Sequence, residues 1–368
     1  MLVEFRVKGF KNFREEIRLN LGDTSNYEFN LNAVKSDTIK TALIYGDNGS
    51  GKTNLGYAIF DITIHLTDNN HSMSNYSHYL NLDQGTSATY YYKFNFNGDI
   101  LEYSYIKKDA ETLVDEEVRI NGKLIIAYNR KTHAALVKLE GAESLNSDLT
   151  DNSISFVKYI SRSTVLGKTQ NNETFKKFID FIDNMLLFSS LERNQYMGFM
   201  TGQGVIGENI IKHGQLPEFQ RFLSENGIDY TLEARKQGDE QRIFCRFRKG
   251  TVDFYSVASR GTLSLALFFN WQIQFENVSF VFIDEFDAFY HSQVARHIVE
   301  LIRDNDSIQG IMTTHNTDIM TNDLLRPDCY FQIIDGKLLS FAESTPKELR
   351  KAHNLQKMYR AGAFSVNE

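Results

Sequence analysis

The chain has 368 residues, 42% of them hydrophobic and 24% charged, and a net charge of −7. That length and mixture can bury a full core with room for two lobes, which excludes a disordered chain. The acidic balance excludes binding to nucleic acid or acidic membrane by bulk charge, so any such contact needs a local patch.

Residues 2–19 predict two strands joined by a turn near Lys11-Asn12-Phe13, and the alternation from Met1 to Val7 is unlike a signal peptide. Residues 40–45 form a short apolar run that predicts a buried strand. Residues 54–64 carry Leu55, Ala58, Ile59 and Ile62 at helical spacing. Between them Gly46-Asp47-Asn48-Gly49-Ser50-Gly51-Lys52-Thr53 satisfies the phosphate-loop pattern G-x-x-x-x-G-K-[ST]. A glycine turn between strand and helix aims backbone N–H groups and the positive end of the helix dipole at one point, and phosphate is the natural occupant. Lys52 then reaches the β- and γ-phosphates, and the Thr53 hydroxyl ligates Mg2+. Gly46, Asn48, Gly49, Ser50, Gly51, Lys52, Thr53 and Asn54 are the candidate nucleotide contacts, with ATP and Mg2+ the expected ligands.

Short β-like runs follow at 90–96, 100–107, 117–120, 123–128 and 134–139. Asn97-Gly98-Asp99 and Asn121-Gly122 separate them as hairpin turns, which predicts an antiparallel sheet. Residues 172–226 have helical spacing in Phe175, Phe178, Ile179, Ile182 and again in Leu216, Phe219, Phe222, Leu223, and read as a mainly helical insertion. Strands resume at 230–235, 241–248 and 252–257, before a helix over 261–275. The end of the chain alternates: strand 278–283, helix 292–303, strand 310–313 and a strand pair at 330–334 and 337–341. The reading is α/β with a mixed sheet, its parallel strands split between the two ends of the chain. Its parts are an N-terminal lobe (1–165) with the phosphate loop and antiparallel β subdomain, a helical insertion (166–229) and a C-terminal lobe (230–368). The most apolar windows, 263–269 and 280–283, are too short to span a bilayer. Cys245 and Cys329 lack metal-type spacing, which predicts a reducing, cytoplasmic setting.

Ser279-Phe280-Val281-Phe282-Ile283-Asp284-Glu285 is an apolar strand ending in two carboxylates, the Walker B pattern. Ligands of open α/β sheets sit at the carboxyl ends of strands. Asp284 is accordingly a candidate Mg2+ ligand beside Thr53, and Glu285 a candidate general base. Gly310 to His315 ends another strand in polar residues, and His315 can hydrogen-bond a γ-phosphate. Ala258-Ser259-Arg260-Gly261-Thr262 opens an apolar helix; it serves as a cap, and the same atoms also make an anion site.

In this order, the phosphate loop, Ser259-Arg260-Gly261, Ile283-Asp284-Glu285 and Thr314-His315 resemble the ABC-type ATPase superfamily, in its soluble branch with SMC, RecF and OLD-like heads. The opening Phe5-Arg6-Val7-Lys8-Gly9-Phe10-Lys11-Asn12-Phe13 resembles the first strand of that branch. The ending His353-Asn354-Leu355-Gln356-Lys357-Met358-Tyr359-Arg360-Ala361-Gly362-Ala363-Phe364 is similar to the tail of small AAA-type, ABC-like ATPases from bacterial abortive-infection and phage-defence operons. The resemblance implies an ABC-ATPase-like head in which Lys52, Glu285 and His315 are catalytic. It also implies a homodimer that sandwiches ATP, with Ser259, Gly261 and Thr262 of one subunit facing the other's phosphate loop. Ala258 and Arg260 depart from the family's leucine and paired glycines, and His291 stands where transporters have aspartate. The absence of long heptads excludes SMC-type arms.

Three functions are compatible. One is an ATPase switch in anti-phage defence that controls a separately encoded nuclease or toxin. Another is a RecF- or SMC-like head acting on DNA in repair, through Arg242, Arg246 and Arg248 on one strand face with Lys249 adjoining. Pairing of those arginines with Glu233 and Asp239 is the simpler account of that face. The third is a nucleotide-dependent scaffold with slow hydrolysis.

Overall fold

The computed structural model describes residues 1–69, 73–83, 85–143, 145, 154–189, 196–198, 206–237 and 240–365. The chain opens with β1 (Leu2–Lys8) and β2 (Ile17–Asn20), then a small ladder of β3 (Val34–Lys35) and β4 (Thr38–Ile39). β5 (Thr41–Gly46) and α1 (Lys52–Leu66) flank the phosphate loop. A meander follows: β6 (Ala88–Phe96), β7 (Asp99–Lys107), β8 (Leu113–Ile120), β9 (Lys123–Asn129) and β10 (Ala134–Val137). The middle holds α2 (Phe156–Ser163), α3 (Gln170–Asp183), β11 (Met185–Ser189), β12 (Tyr196–Gly198), α4 (Ile206–Lys212) and α5 (Leu216–Glu225). β13 (Thr231–Gln237), β14 (Glu240–Phe247) and β15 (Gly250–Asp253) lead through α6 (Phe254–Val257) into α7 (Arg260–Gln272). The chain closes with β16 (Phe280–Asp284), α8 (Ser292–Asp304), β17 (Gln309–Thr313), β18 (Tyr330–Ile334), β19 (Lys337–Ser340) and α9 (Leu355–Arg360).

One sheet, ordered β10-β9-β8-β7-β6-β1-β2, is antiparallel throughout. The other, β12-β11-β16-β17-β5-β18-β19, is mixed: its centre from β11 to β18 is parallel and its two edges are antiparallel. Every residue of β5, β16 and β17 is buried, as expected of parallel strands covered on both faces. No helix among the described residues is long and apolar enough to cross a membrane.

Two expectations are corrected. The segment 172–226, expected to be mainly helical, contains β11, which pairs in parallel with β16 from Met185↔Phe280 to Ser189↔Asp284. Four consecutive apolar residues, Met185 to Phe188, carry no period that separates strand from helix, so the neighbouring helical spacing masked this one. Residues 190–195 and 199–205 of the same segment lie outside the described residues. The run 252–257 is likewise not one strand: Asp253 accepts from Tyr255 N and starts the short helix α6.

α1 has 12 of its 15 residues buried, so it is enclosed on all sides rather than along one stripe. It runs so close to β16 that a Cβ on Gly56 would lie 2.6 Å from the Phe282 ring. On its other side the antiparallel sheet, together with Tyr79 from the connection before β6, reaches it through polar side chains. Tyr92 Oη donates to Ala58 O at 3.0 Å, and Tyr105 and Tyr79 each donate to the Asp61 carboxylate at 2.8 Å. Lys107 Nζ completes that cluster 2.9 Å from Asp61 Oδ1, both side chains fully buried. Burial lowers the Lys107 ammonium's pKa while Asp61 pulls it back up. Lys107→Met strands the buried carboxylate, and urea unfolding should show a loss of about 3 kcal/mol, partly restored by Asp61→Asn in the same chain. A loss below about 1 kcal/mol would show that the pair is solvated.

Candidate nucleotide site

The phosphate loop leaves β5 at Gly46 and turns through Gly49 (φ 80°) and Gly51 (φ 105°), both in the left-handed region that favours glycine. Gly51 is required twice over, since a Cβ there would collide with the Asn12 side chain and come within 3.0 Å of the Phe13 ring. Asn12 accepts from Asn54 Nδ2 at 2.7 Å and donates to Ser50 O at 3.4 Å, so the β1–β2 turn clasps the loop. No role was read from the sequence for Asn12, because a turn asparagine has no motif spacing. Asp47, Asn48 and Gly49 are exposed at the loop tip.

Three strand ends converge behind the loop. Asp284, the last residue of β16, accepts from Thr53 Oγ1 and from Thr313 Oγ1 of β17, each at 2.7 Å. Thr313 Oγ1 in turn accepts from Glu285 N at 2.8 Å. Burial raises the Asp284 pKa above the ordinary carboxylate value, and the two hydroxyl bonds offset part of that rise. Glu285 follows with φ 46°, a left-handed backbone on a residue with a side chain. Lys52 Nζ donates to Gly46 O at 3.0 Å and lies 3.5 Å from Glu285 Oε1 and 2.7 Å from His315 Nε2. His315 Nε2 also lies 3.2 Å from Glu285 Oε1, so the imidazole stands between the lysine and the carboxylate. Lys52, Thr53, Asp284, Glu285 and His315 are thus brought together from three parts of the chain.

The loop carrying His315 is braced. Thr314 Oγ1 donates to Asp287 Oδ1 at 2.7 Å, and Asn316 N donates to Thr314 Oγ1 at 2.9 Å. Burial also raises the Asp287 pKa against these hydrogen bonds. Thr313 and Asp287 were missed as site residues; the only sequence signal for them is polarity at a buried strand end.

Ser259, Gly261 and Thr262 lie at the start of α7. Ser259 is its N-cap, its Oγ accepting from Thr262 N at 3.1 Å and lying 2.9 Å from Thr262 Oγ1, so these bonds close within the cap. Gly261 permits close contact with the segment after β16, where a Cβ would stand 2.8 Å from Phe289 O. Among the proposed DNA-facing arginines, Arg242 pairs with Glu240 at 2.8 Å and Arg246 with Glu233 at 2.5 Å. Arg248 lies past the end of β14, in the turn to β15, and Asp239 lies outside the described residues.

The residues present fit a nucleotide with Mg2+. Ser50 Oγ is buried and has no hydrogen-bond partner among the described residues, a polar atom suited to a loop-bound anion. Thr53 and Asp284 supply adjacent hard oxygen donors. No group of three or more His, Cys, Asp or Glu among the described residues forms a metal cage. Mg2+ typically binds through one or two carboxylates with phosphates and water, which matches the oxygen pair.

A family described as "AAA domain, putative AbiEii toxin, Type IV TA system" matches residues 42–321. No curated protein matches the chain. Among solved structures, the SMC head domain from Thermotoga maritima is similar at 17% identity over 95% of this chain and 99% of that one, with a TM-score of 0.45. An Smc head with an extended coiled coil, bound to the C-terminal domain of ScpA from Pyrococcus furiosus, is 14% identical over 92% and 95%, with a TM-score of 0.47. The recombination mediator RecF is 14% identical over 92% and 98%, with a TM-score of 0.38. The family assignment rests on the first match alone.

Thr313→Val removes a donor to Asp284 and an acceptor for Glu285 N. Mg2+-dependent nucleotide binding, followed by calorimetry, should weaken about tenfold while Mg2+-free binding is unchanged, and Thr313→Ser should restore it. Equal binding by the valine variant would remove Thr313 from the site.

Proposed function

We propose, from the premise that this chain belongs to the AAA-domain family matched over residues 42–321, that it binds and hydrolyses ATP as a molecular switch. In this reading it closes as a homodimer around ATP and controls a separately encoded effector, a nuclease or toxin, in bacterial anti-phage defence. The family description, with its toxin and Type IV toxin–antitoxin wording, supports the defence setting. The observation that carries the reading is the junction at Asp284, where Thr53 and Thr313 meet on one carboxylate beside Lys52, Glu285 and His315.

Catalysis here is positioning and charge stabilisation. Lys52 neutralises charge on the β- and γ-phosphates, with the loop N–H groups beside it. Thr53 and Asp284 hold Mg2+, which supplies further neutralisation of phosphate charge when bound. Glu285 takes a proton from the attacking water, and His315 hydrogen-bonds the γ-phosphate and orients that water. Exposed Ser259, with half-buried Gly261 and buried Thr262 behind it at the helix start, suits the second subunit's phosphates, so closing the dimer completes the site. Ala258 and Arg260 in that signature are compatible with slow turnover.

The reading as a DNA-repair head rests on Arg242, Arg246 and Arg248. With Arg242 and Arg246 already ion-paired, no observation favours it over the switch. Negligible DNA binding across a salt titration would remove it.

Lys52→Ala should abolish ATP binding in a filter or calorimetric assay; normal affinity would sink the assignment of the loop. Glu285→Gln should retain ATP and accumulate as a dimer in light scattering, whereas wild-type turnover in this variant would show that another group is the base. Ser259→Ala should slow hydrolysis and leave nucleotide binding by the monomer intact, and an unchanged rate would contradict the shared site.

A further inference from the structure

The closing segment His353 to Phe364 has no part in the chemistry above, yet it is built against the site. Asn322 Nδ2 pins its approach by donating to the carbonyls of Arg350 at 3.0 Å, Lys351 at 3.3 Å and His353 at 3.0 Å. Asn354 then caps α9, accepting from Lys357 N at 2.8 Å. Beyond the helix Phe364 stacks on Phe341, ring centroids 4.3 Å apart, and Gln332 of β18 donates to Phe364 O. The approach to α9 is therefore tied to the loop before β18, and the segment after it to β18 itself.

Held this way, α9 reaches the turn that follows His315. Gln356 Nε2 donates to Asp318 Oδ1 at 2.7 Å and to Thr317 Oγ1 at 3.3 Å. Arg360 Nη2 donates to the same Thr317 Oγ1 at 3.0 Å and lies 3.7 Å from Asp318 Oδ1. Tyr359 stacks on Phe341 at 5.7 Å and lies 6.1 Å from the ring of Tyr45, whose hydroxyl donates to Asn316 O at 3.3 Å. Burial, and after it the carboxylate of Asp47 in the phosphate loop, raises the pKa of the Tyr359 hydroxyl. α9 thus adjoins both Tyr45 at the end of β5 and the turn behind His315.

We infer that α9 is a positioning element for the reaction: Gln356 and Arg360 hold Thr317 and Asp318, and so set where the His315 imidazole stands relative to Lys52 and Glu285. The inference rests on the ATP-hydrolysis reading. His315 sits on a loop fixed on one side by the Thr314–Asp287 bond and on the other by these two side chains. Thr317 and Asp318 also meet the start of α8, where Ser292 Oγ is 3.3 Å from Asp318 Oδ2, so the turn has polar restraints on two sides. Exposed polar contacts of this kind add little to fold stability. Their effect is geometric, because a displacement of about 1 Å at a reacting group can slow a reaction about 100-fold.

The test is the Gln356→Ala/Arg360→Ala double variant in the full chain. ATP affinity and melting temperature should match wild type while kcat falls at least about tenfold. Arg360→Lys, which keeps a donor for Thr317 and a charge for Asp318, should recover most of the rate. In a His315→Ala background the same pair should cause no further loss, since both act through one imidazole. Unchanged kcat in the double variant, parallel losses of affinity and rate, or a full additional loss in the His315→Ala background would overturn the inference and leave ATP hydrolysis standing. Wild-type protein that binds ATP without turnover would remove the hydrolysis reading and this inference with it.

Discussion

The buried carboxylate of Asp284 is the point on which the site depends. It ends β16, takes a hydroxyl from α1 through Thr53 and another from β17 through Thr313, and so fixes three elements against each other at their catalytic ends. A carboxylate this enclosed is unfavourable when charged, and two neutral hydroxyl donors do not fully compensate, as its raised pKa records. In the proposed reading a divalent cation beside it would offset that deficit. The strand order then follows: β5, β17 and β16 must be neighbours for one carboxylate to touch the partners it has.

α1 carries the phosphate loop's lysine and threonine at one end and is gripped along its length from both sides. Apolar contact with β16 and β11 sets how close it lies to the central sheet, and Gly56 makes that approach possible. Apolar burial is non-directional, so it does not fix how the helix turns about its axis. Tyr92, Tyr105, Tyr79 and Lys107 do, because each meets one particular atom of the helix. The antiparallel sheet therefore acts on the chemistry at a distance, through the rotation of the helix that presents Lys52.

Much of this was legible in the sequence. The phosphate loop and its strand and helix, the paired carboxylates after β16 and the polar end of β17 stand at the strand ends where a P-loop site needs them. The turns Asn97-Gly98 and Asn121-Gly122 adopt the left-handed φ values their composition demands. β11 was not legible, because Met185 to Phe188 is an apolar run shorter than two helical turns between helical patterns. Nor were Asn12, Thr313 and Asp287, each a single polar residue whose meaning depends on distant neighbours. The arginines of β14 were visible as a charged face with Glu233 as a partner, but Glu240, two residues before Arg242 on the same strand, was not.

Glu285 occupies a backbone conformation in which a side chain is disfavoured by roughly 1 kcal/mol, while glycine would be at ease there. Position 285 therefore sets folding and function against each other. Glycine there would relieve the strain and, in the proposed reading, would also remove the general base.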